Sequence, residues 1–255
     1  MHPGALTSHL DVAQVVFTTF VLFFIGLVIY LQRESNREGF PLRNEQNEII
    51  GSQGLFGVPS PKTFILPRGE TVQAPRAEPD EILGDHIAPD FAGAGLEPVG
   101  NKLLSNLGPA AYANRRDVPD AQFFDGTPRI VPLRADASFS VATEEPDPRG
   151  YTVVGADGAA GGVVADIWVD RSESVARYFE VATLNGRRVL LPLPVSVVHH
   201  DTQKIEVALI NGSQFADVPG TKSPEQVTLR EEDQISAYYG GGLLYASAER
   251  AEPVL

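Results

Sequence analysis

The sequence predicts a single transmembrane α-helix followed by a mainly β domain, a small antiparallel β-barrel that carries one C-terminal helix. Three observations predict it. The stretch Val12 to Leu31, VAQVVFTTFVLFFIGLVIYL, carries no charge. After Gly150 the chain breaks into short β-branched and aromatic runs separated by turn dipeptides. Thr228 and Glu231 then have capping-box spacing ahead of glycines at 240 to 242. The boundaries expected are an external N-terminus at 1–11, the membrane helix at 12–31, an extended Pro-rich segment at 32–148 and the β domain with its helix at 149–255.

At about 1.5 Å per residue the uncharged stretch spans ~30 Å, the thickness of a bilayer's hydrocarbon core. A cleaved signal peptide would have basic residues before a shorter apolar run. Here Asp11 precedes and QRESNREGF follows. Arg33, Arg37 and Arg43 all lie after the helix, which places the N-terminus outside and the rest in the cytoplasm. Gln14, Thr18, Leu22 and Gly26 share one helix face, which suits packing on other membrane helices; equally, a lone anchor tolerates such groups against lipid.

Between Pro59 and Pro148 lie 13 of the chain's 20 prolines, with little helical or strand period. Regular structure should be sparse there, and the segment is either disordered or laid over something that orders it. Its apolar patches, TFIL, KLL and RIVPL, favour the second.

From Gly150 the runs YTVVG, GGVVADIWVD, ARYFEVATL, RRVLLPLPVSVV and KIEVALI read as strands. Asp157-Gly158, Asn185-Gly186 and His200-Asp201-Thr202 mark turns, so the runs form a meander, and closure into a barrel removes exposed edges. A helix of about three turns should follow from Thr228 to the glycine stop.

Composition excludes several functions. With 20 Lys plus Arg against 33 Asp plus Glu, the net charge of −13 repels nucleic acid. The absence of cysteine excludes disulfides, thiolate metal sites and a Cys nucleophile. No P-loop, G-x-S-x-G, H-E-x-x-H or G-x-G-x-x-G occurs. His199-His200-Asp201 offers metal-ligand residue types, but neighbours in a strand point to opposite faces, and a solvated turn accounts for them better.

The stretch Val164 to Val181, VADIWVDRSESVARYFEV, is the richest in chemistry. By strand period, Asp166 and Asp170 share a face with Trp168, opposite Ile167 and Val169, and Glu173 lies in the turn near Arg171 and Arg177. Either this face is wet and the acids are ordinary surface carboxylates, or a partner covers them. Burial would raise their pKa values and let them exchange protons near neutral pH. Glu231, Glu232 and Asp233 open the last helix, where its dipole favours negative charge.

Several segments, in one order, resemble the H subunit of the bacterial, purple-type photosynthetic reaction centre: YLQRESNREGFPL, PKTFILP, GPAAYANRRDVPD, VVADIWVDRSESVARYFEV and KSPEQVTLREEDQISAYYGGGLLYA. The C-terminal half also resembles the PRC-barrel module. The resemblance implies a non-catalytic subunit in the bacterial inner, intracytoplasmic membrane. It would cap the quinone-bearing face of subunits L and M and help carry protons to the secondary quinone. It implies no cofactor on this chain; bacteriochlorophyll, bacteriopheophytin, quinones and a non-haem iron belong to the complex. Further partners of such complexes are lipids, a cytochrome subunit and a light-harvesting antenna. By matching positions, Glu173 is the inner acid, Asp170 its neighbour, and Arg177 a charge partner set against Glu232. Asp120 and Asp125 fall at the surface entrance, where this sequence lacks the histidine pair of some relatives. The other reading is a membrane-tethered PRC-barrel module that recruits a different partner.

Overall fold

The computed structural model describes residues 11–42, 49–67, 69–75, 86–87 (backbone only) and 95–251. The N-terminal residues 1–10 and most of 76–94 lie outside the described residues, so neither the expected external N-terminus nor the character of that part of the Pro-rich segment is described. The chain divides into two compact units, Met1–Glu81 and Ile82–Leu255.

In the first unit, helix α1 (Val12–Ser35) starts where the Asp11 side chain accepts a 2.7 Å hydrogen bond from the Gln14 amide. It runs one turn beyond the expected Leu31, because Gln32, Arg33 and Glu34 are good helix formers and nothing there breaks the backbone ladder. At 24 residues it is long and apolar enough to cross a membrane. None of its side chains is buried. The Thr18 and Thr19 hydroxyls donate to the carbonyls of Gln14 and Val15, each at 2.8 Å, so both threonines are satisfied within the helix.

Beyond the helix, Asn36 donates to the Gly57 carbonyl at 3.0 Å. Arg37 joins Glu34 to the carbonyls of Ser60 and Ala74, and Lys62 reaches Glu34 at 2.6 Å. These bonds tie the helix end to a hairpin of strands β1 (Lys62–Ile65) and β2 (Thr71–Ala74).

The second unit begins with a two-residue pair, β3 (His86–Ile87) with β4 (Glu97–Pro98). Its main sheet has seven strands: β5 (Ile130–Pro132), β6 (Thr152–Val154), β7 (Ala160–Asp170), β8 (Val175–Thr183), β9 (Arg188–Pro192), β10 (Val197–His199) and β11 (Lys204–Glu206). The order is β10-β11-β6-β7-β8-β9. β6 to β9 form the expected meander, but β11 joins β6 in parallel, a pairing that local turn signals cannot encode. Gly158 and Gly186 take positive φ at the predicted turns.

β7 is shared along one edge: β6 pairs with its N-terminal half and β5 with its C-terminal end, Ile130 opposite Asp170 and Pro132 opposite Trp168. The β domain therefore reaches upstream of residue 149 and recruits part of the Pro-rich segment. The Leu229 amide also bonds the Val118 carbonyl, and Pro119 bridges to Thr228. This part of the segment is laid over the chain's own barrel and helix.

The core is built from Val153, Val181, Val189, Leu191, Ile205, Val207, Ile210 and Phe215, closed by Ile235, Tyr238 and Tyr239 of helix α2 (Leu229–Tyr245). The capping box is formed: Thr228 Oγ1 accepts from the Glu231 amide at 3.2 Å, and Glu231 accepts from the Thr228 amide at 2.8 Å. The predicted stop at the glycines is not observed. α2 runs through Gly240–Gly242 because those positions need closeness rather than a break. A Cβ on Gly242 would sit 2.1 Å from the Leu209 carbonyl oxygen, and one on Gly241 2.8 Å from the Ala110 Cβ. Each helical glycine costs about 1 kcal/mol relative to alanine, which the burial of three large α2 side chains at roughly 1.5–3 kcal/mol each outweighs.

Gly242→Ala is accordingly expected to destabilise the chain by about 2 kcal/mol or more through overpacking, measured by chemical denaturation in detergent. Gly240→Ala meets only the Pro109 carbonyl at 3.0 Å, and its cost is smaller because helix propensity improves.

Candidate functional site

Asp170, the last residue of β7, is completely buried. A buried carboxylate persists only when its oxygens are paired, and these are. Arg129 Nε donates to Oδ1 at 2.9 Å and Arg129 Nη2 lies 2.8 Å from Oδ2. Arg177 Nη2 donates to Oδ2 at 3.3 Å, and the amides of Ser172 and Glu173 donate to Oδ1 at 3.0 and 3.1 Å. Burial pushes the Asp170 carboxyl up, but the Arg129 hydrogen bonds and the turn amides outweigh it and hold the pKa below the usual range.

Glu173 follows in the tight turn to β8, half of its side chain exposed. Arg129 Nη2 lies 2.5 Å from one carboxylate oxygen and Arg177 Nη2 3.2 Å from the other. Asp120 meets the same guanidinium at 3.4 Å from Nη1. One arginine thus bridges three carboxylates, a buried one and two half-exposed ones, and its own pKa is raised, chiefly by hydrogen bonding to Asp170.

Glu232 lies beside this cluster on the first turn of α2 and behaves differently. The Tyr178 hydroxyl donates to it at 2.8 Å. Burial raises its pKa above the ordinary value, and the opposing pull of Tyr178, Arg177 and Arg115 does not reverse that, since Asp120 adds repulsion. The Tyr178 hydroxyl is itself held protonated by burial next to that carboxylate.

One alternative is decided and two expectations are corrected. The face bearing Asp166, Trp168 and Asp170 is not wet: bulges on either side of Asp166–Trp168 and the 130–136 segment laid over β7 bury all three. Burial does not raise the pKa of Asp170, because its cover brings arginines with it. Arg177 pairs directly with Asp170 and Glu173, and its charge also acts on Glu232 through space, as the resemblance implies. Arg171 turns away from Glu173 to Thr127, the Pro128 carbonyl and Asp136. Asp125 also lies apart from the cluster: the Thr127 amide and hydroxyl bind it, the amide foremost, and hold its pKa low.

Sequence reasoning missed Arg129, the hub. It lies 41 residues from Asp170, in RIVPL, whose apolar character signalled only that the segment is covered.

A second cluster uses the remaining acids of the same stretch. Glu180 and Asp166 are buried. Arg134 Nη1 donates to Asp166 at 3.0 Å and to Glu180 at 2.7 Å, Trp168 Nε1 donates to Glu180 at 2.8 Å, and Arg188 pairs with the other Glu180 oxygen. Burial raises the Glu180 pKa, and Arg188, Arg134 and Trp168 together bring it below its usual value. Among the described residues no group of three or more His, Cys, Asp or Glu is placed to hold a metal ion. His199 instead lies 3.4 Å from Glu206, and His200 3.3 Å from the Tyr151 hydroxyl.

Comparison with known families bears on what these clusters serve. Residues 4–135 match the model of the photosynthetic reaction centre H-chain N-terminal region, and residues 144–214 match the PRC-barrel domain. The chain belongs to the reaction-centre H-chain family. It is a membrane-anchored subunit of a photosynthetic reaction centre, built from an apolar helix and a PRC-barrel domain with a C-terminal helix. The reaction-centre match covers α1, the hairpin, Asp120, Asp125, Arg129 and Arg134; the barrel match covers Asp170, Glu173 and Arg177. The acid cluster is therefore assembled where the two segments meet, with Arg129 of the first placed on Asp170 of the second.

Because the folded Glu180 carboxyl has a depressed pKa, its stabilising contribution is complete above the unfolded value of about 4.5 and is lost as pH falls through the lower folded value. Glu180→Gln leaves two arginines facing a neutral amide and should cost roughly 3 kcal/mol at pH 7. That deficit should shrink below about pH 4.5. Urea unfolding in detergent across a pH series checks this through the emission of Trp168, the only tryptophan.

Proposed function

We propose that this chain caps the cytoplasmic face of the reaction-centre L and M subunits and conducts protons toward the secondary quinone. The observation that carries the proposal is the cluster in which Arg129 bridges Asp120, Asp170 and Glu173 and Arg177 bridges the last two. Carboxylates linked through shared arginines, one buried and two half-exposed, suit proton passage between solvent and a covered partner surface.

The roles divide by environment. Arg129 and Arg177 remain protonated and lower the cost of gathering several carboxylates in one place. Asp170 stays ionised as a fixed countercharge and hydrogen-bond acceptor. Glu232, paired with a neutral phenol rather than a guanidinium, is the acid best able to hold a proton. Glu173, with half its side chain exposed, is the group positioned to hand a proton on. Asp120, half-exposed on Arg129, and Asp125, held by Thr127, serve as the acids of the surface entrance. The chain acts as an accessory subunit and binds no pigment; bacteriochlorophyll, bacteriopheophytin, quinones and the non-haem iron reside on its partners.

Glu173→Gln keeps the side chain's size and removes its exchangeable proton. In the assembled complex it should slow the proton-coupled second electron transfer to the secondary quinone roughly tenfold or more while primary charge separation is unchanged. Flash-induced absorbance changes separate the two steps, and an unaltered second-electron rate would remove Glu173 from the path.

The arginines that follow the apolar stretch support an orientation with the N-terminus outside and the barrel in the cytoplasm. Protease added to inside-out vesicles should digest residues 95–251, while intact cells should protect them. Digestion from the outer face only would reverse the topology.

A further inference from the structure

We infer that Arg134 is a positioning residue for the acid cluster: by closing on Asp166 and Glu180 it holds strand β5 in the register that keeps Arg129 on Asp170 and Glu173. The inference deepens the proton-conducting reading and rests on it for one of its two readouts.

β5 is only three residues long and ends in Pro132, which has no amide to donate to the ladder. Such a strand specifies its own register weakly. An arginine stands at each end of it, and each closes on a buried aspartate of the same partner strand. Arg129 takes Asp170, and its carbonyl accepts from the Arg171 amide at 2.9 Å. Arg134 takes Asp166 through both its guanidinium and its own backbone amide, takes Glu180 of the next strand over, and donates to the Pro224 carbonyl.

Asp166 and Asp170 lie four residues apart on β7, so the two clamps measure the strap against a fixed rule. A slip of one residue would displace Arg129 by ~3.3 Å and turn its side chain to the other face. That shift would undo its contacts to all three acids together. The far clamp thus sets the charge felt at Asp170, which among the described residues otherwise faces Arg177, the amides of Ser172 and Glu173, and the Glu173 carboxylate that shares both arginines. Asp120 meets the cluster through Arg129 and also repels Glu232, which in turn feels Arg177.

The test uses Arg134→Met in the assembled complex, which keeps the apolar stem and removes the fork. Hydrogen exchange over residues 129–134 and at the Arg171 amide should accelerate, and Asp166→Asn, which opens the same clamp from the opposite strand, should do the same. The pH midpoint of the second electron transfer should move upward, since a carboxyl that loses its cation gains protons more readily. Arg129→Gln defines the full effect, on the order of one pH unit, and Arg134→Met should give a smaller shift in the same direction. Val189→Ala, a core truncation away from both clamps, should leave the midpoint in place. Unchanged exchange in Arg134→Met and Asp166→Asn overturns the inference. So does faster exchange with an unmoved midpoint while Arg129→Gln shifts it. If Arg129→Gln also leaves the midpoint unmoved, the proton-path reading fails, and the exchange result alone decides whether Arg134 holds the strap.

Discussion

The constraint on which the second unit depends is the burial of a charge at Asp170. An unpaired carboxylate in that position would cost several kcal/mol, so the surrounding chain must deliver donors to both oxygens. It does so from three places: two amides of the turn that follows, Arg177 four residues beyond Glu173, and Arg129 from far upstream. Meeting this demand fixes the turn into β8 and draws the strap onto the C-terminal end of β7. It also brings Glu173 and Asp120 within reach of the same guanidinium. A group of acids that would repel one another on an open surface is held together by the cation the buried member requires.

The same accounting explains why the acids are not equivalent. Asp170 and Glu180 are buried against guanidinium groups, so attraction overrides desolvation and both stay ionised. Glu232 is buried against a phenol, a donor without charge, and desolvation prevails. Burial alone therefore does not identify a proton carrier; what identifies one is burial without a cation in contact. This distinction separates fixed countercharges from exchangeable groups within one cluster and matches the division of roles proposed above.

Membership of the reaction-centre H-chain family gives the first unit its setting. Helix α1 satisfies its own threonine hydroxyls and buries none of its side chains within the chain. Its apolar surface is suited to a bilayer, and the bonds from Asn36, Arg37 and Lys62 give its C-terminal end a defined attachment to the β1–β2 hairpin.

What the sequence determined by itself was local in character. The uncharged run from Val12, the turn glycines at 158 and 186, the capping box at Thr228 and the β-rich runs are each decided by residues within a few positions of one another, so their physics can be read along the chain. The acids of VADIWVDRSESVARYFEV stood out for the same reason. Tertiary structure alone decided which of them stay charged. Arg129 and Arg134 reach Asp170, Asp166 and Glu180 across 32 to 46 residues, the parallel pairing of β11 with β6 adds the last two strands to the sheet, and the glycines of α2 meet Leu209 and Ala110 rather than ending the helix. Strand alternation placed Asp166 and Asp170 on one face and left open whether that face is wet or covered, because it registers which way a side chain points, while burial depends on what another segment lays over that face.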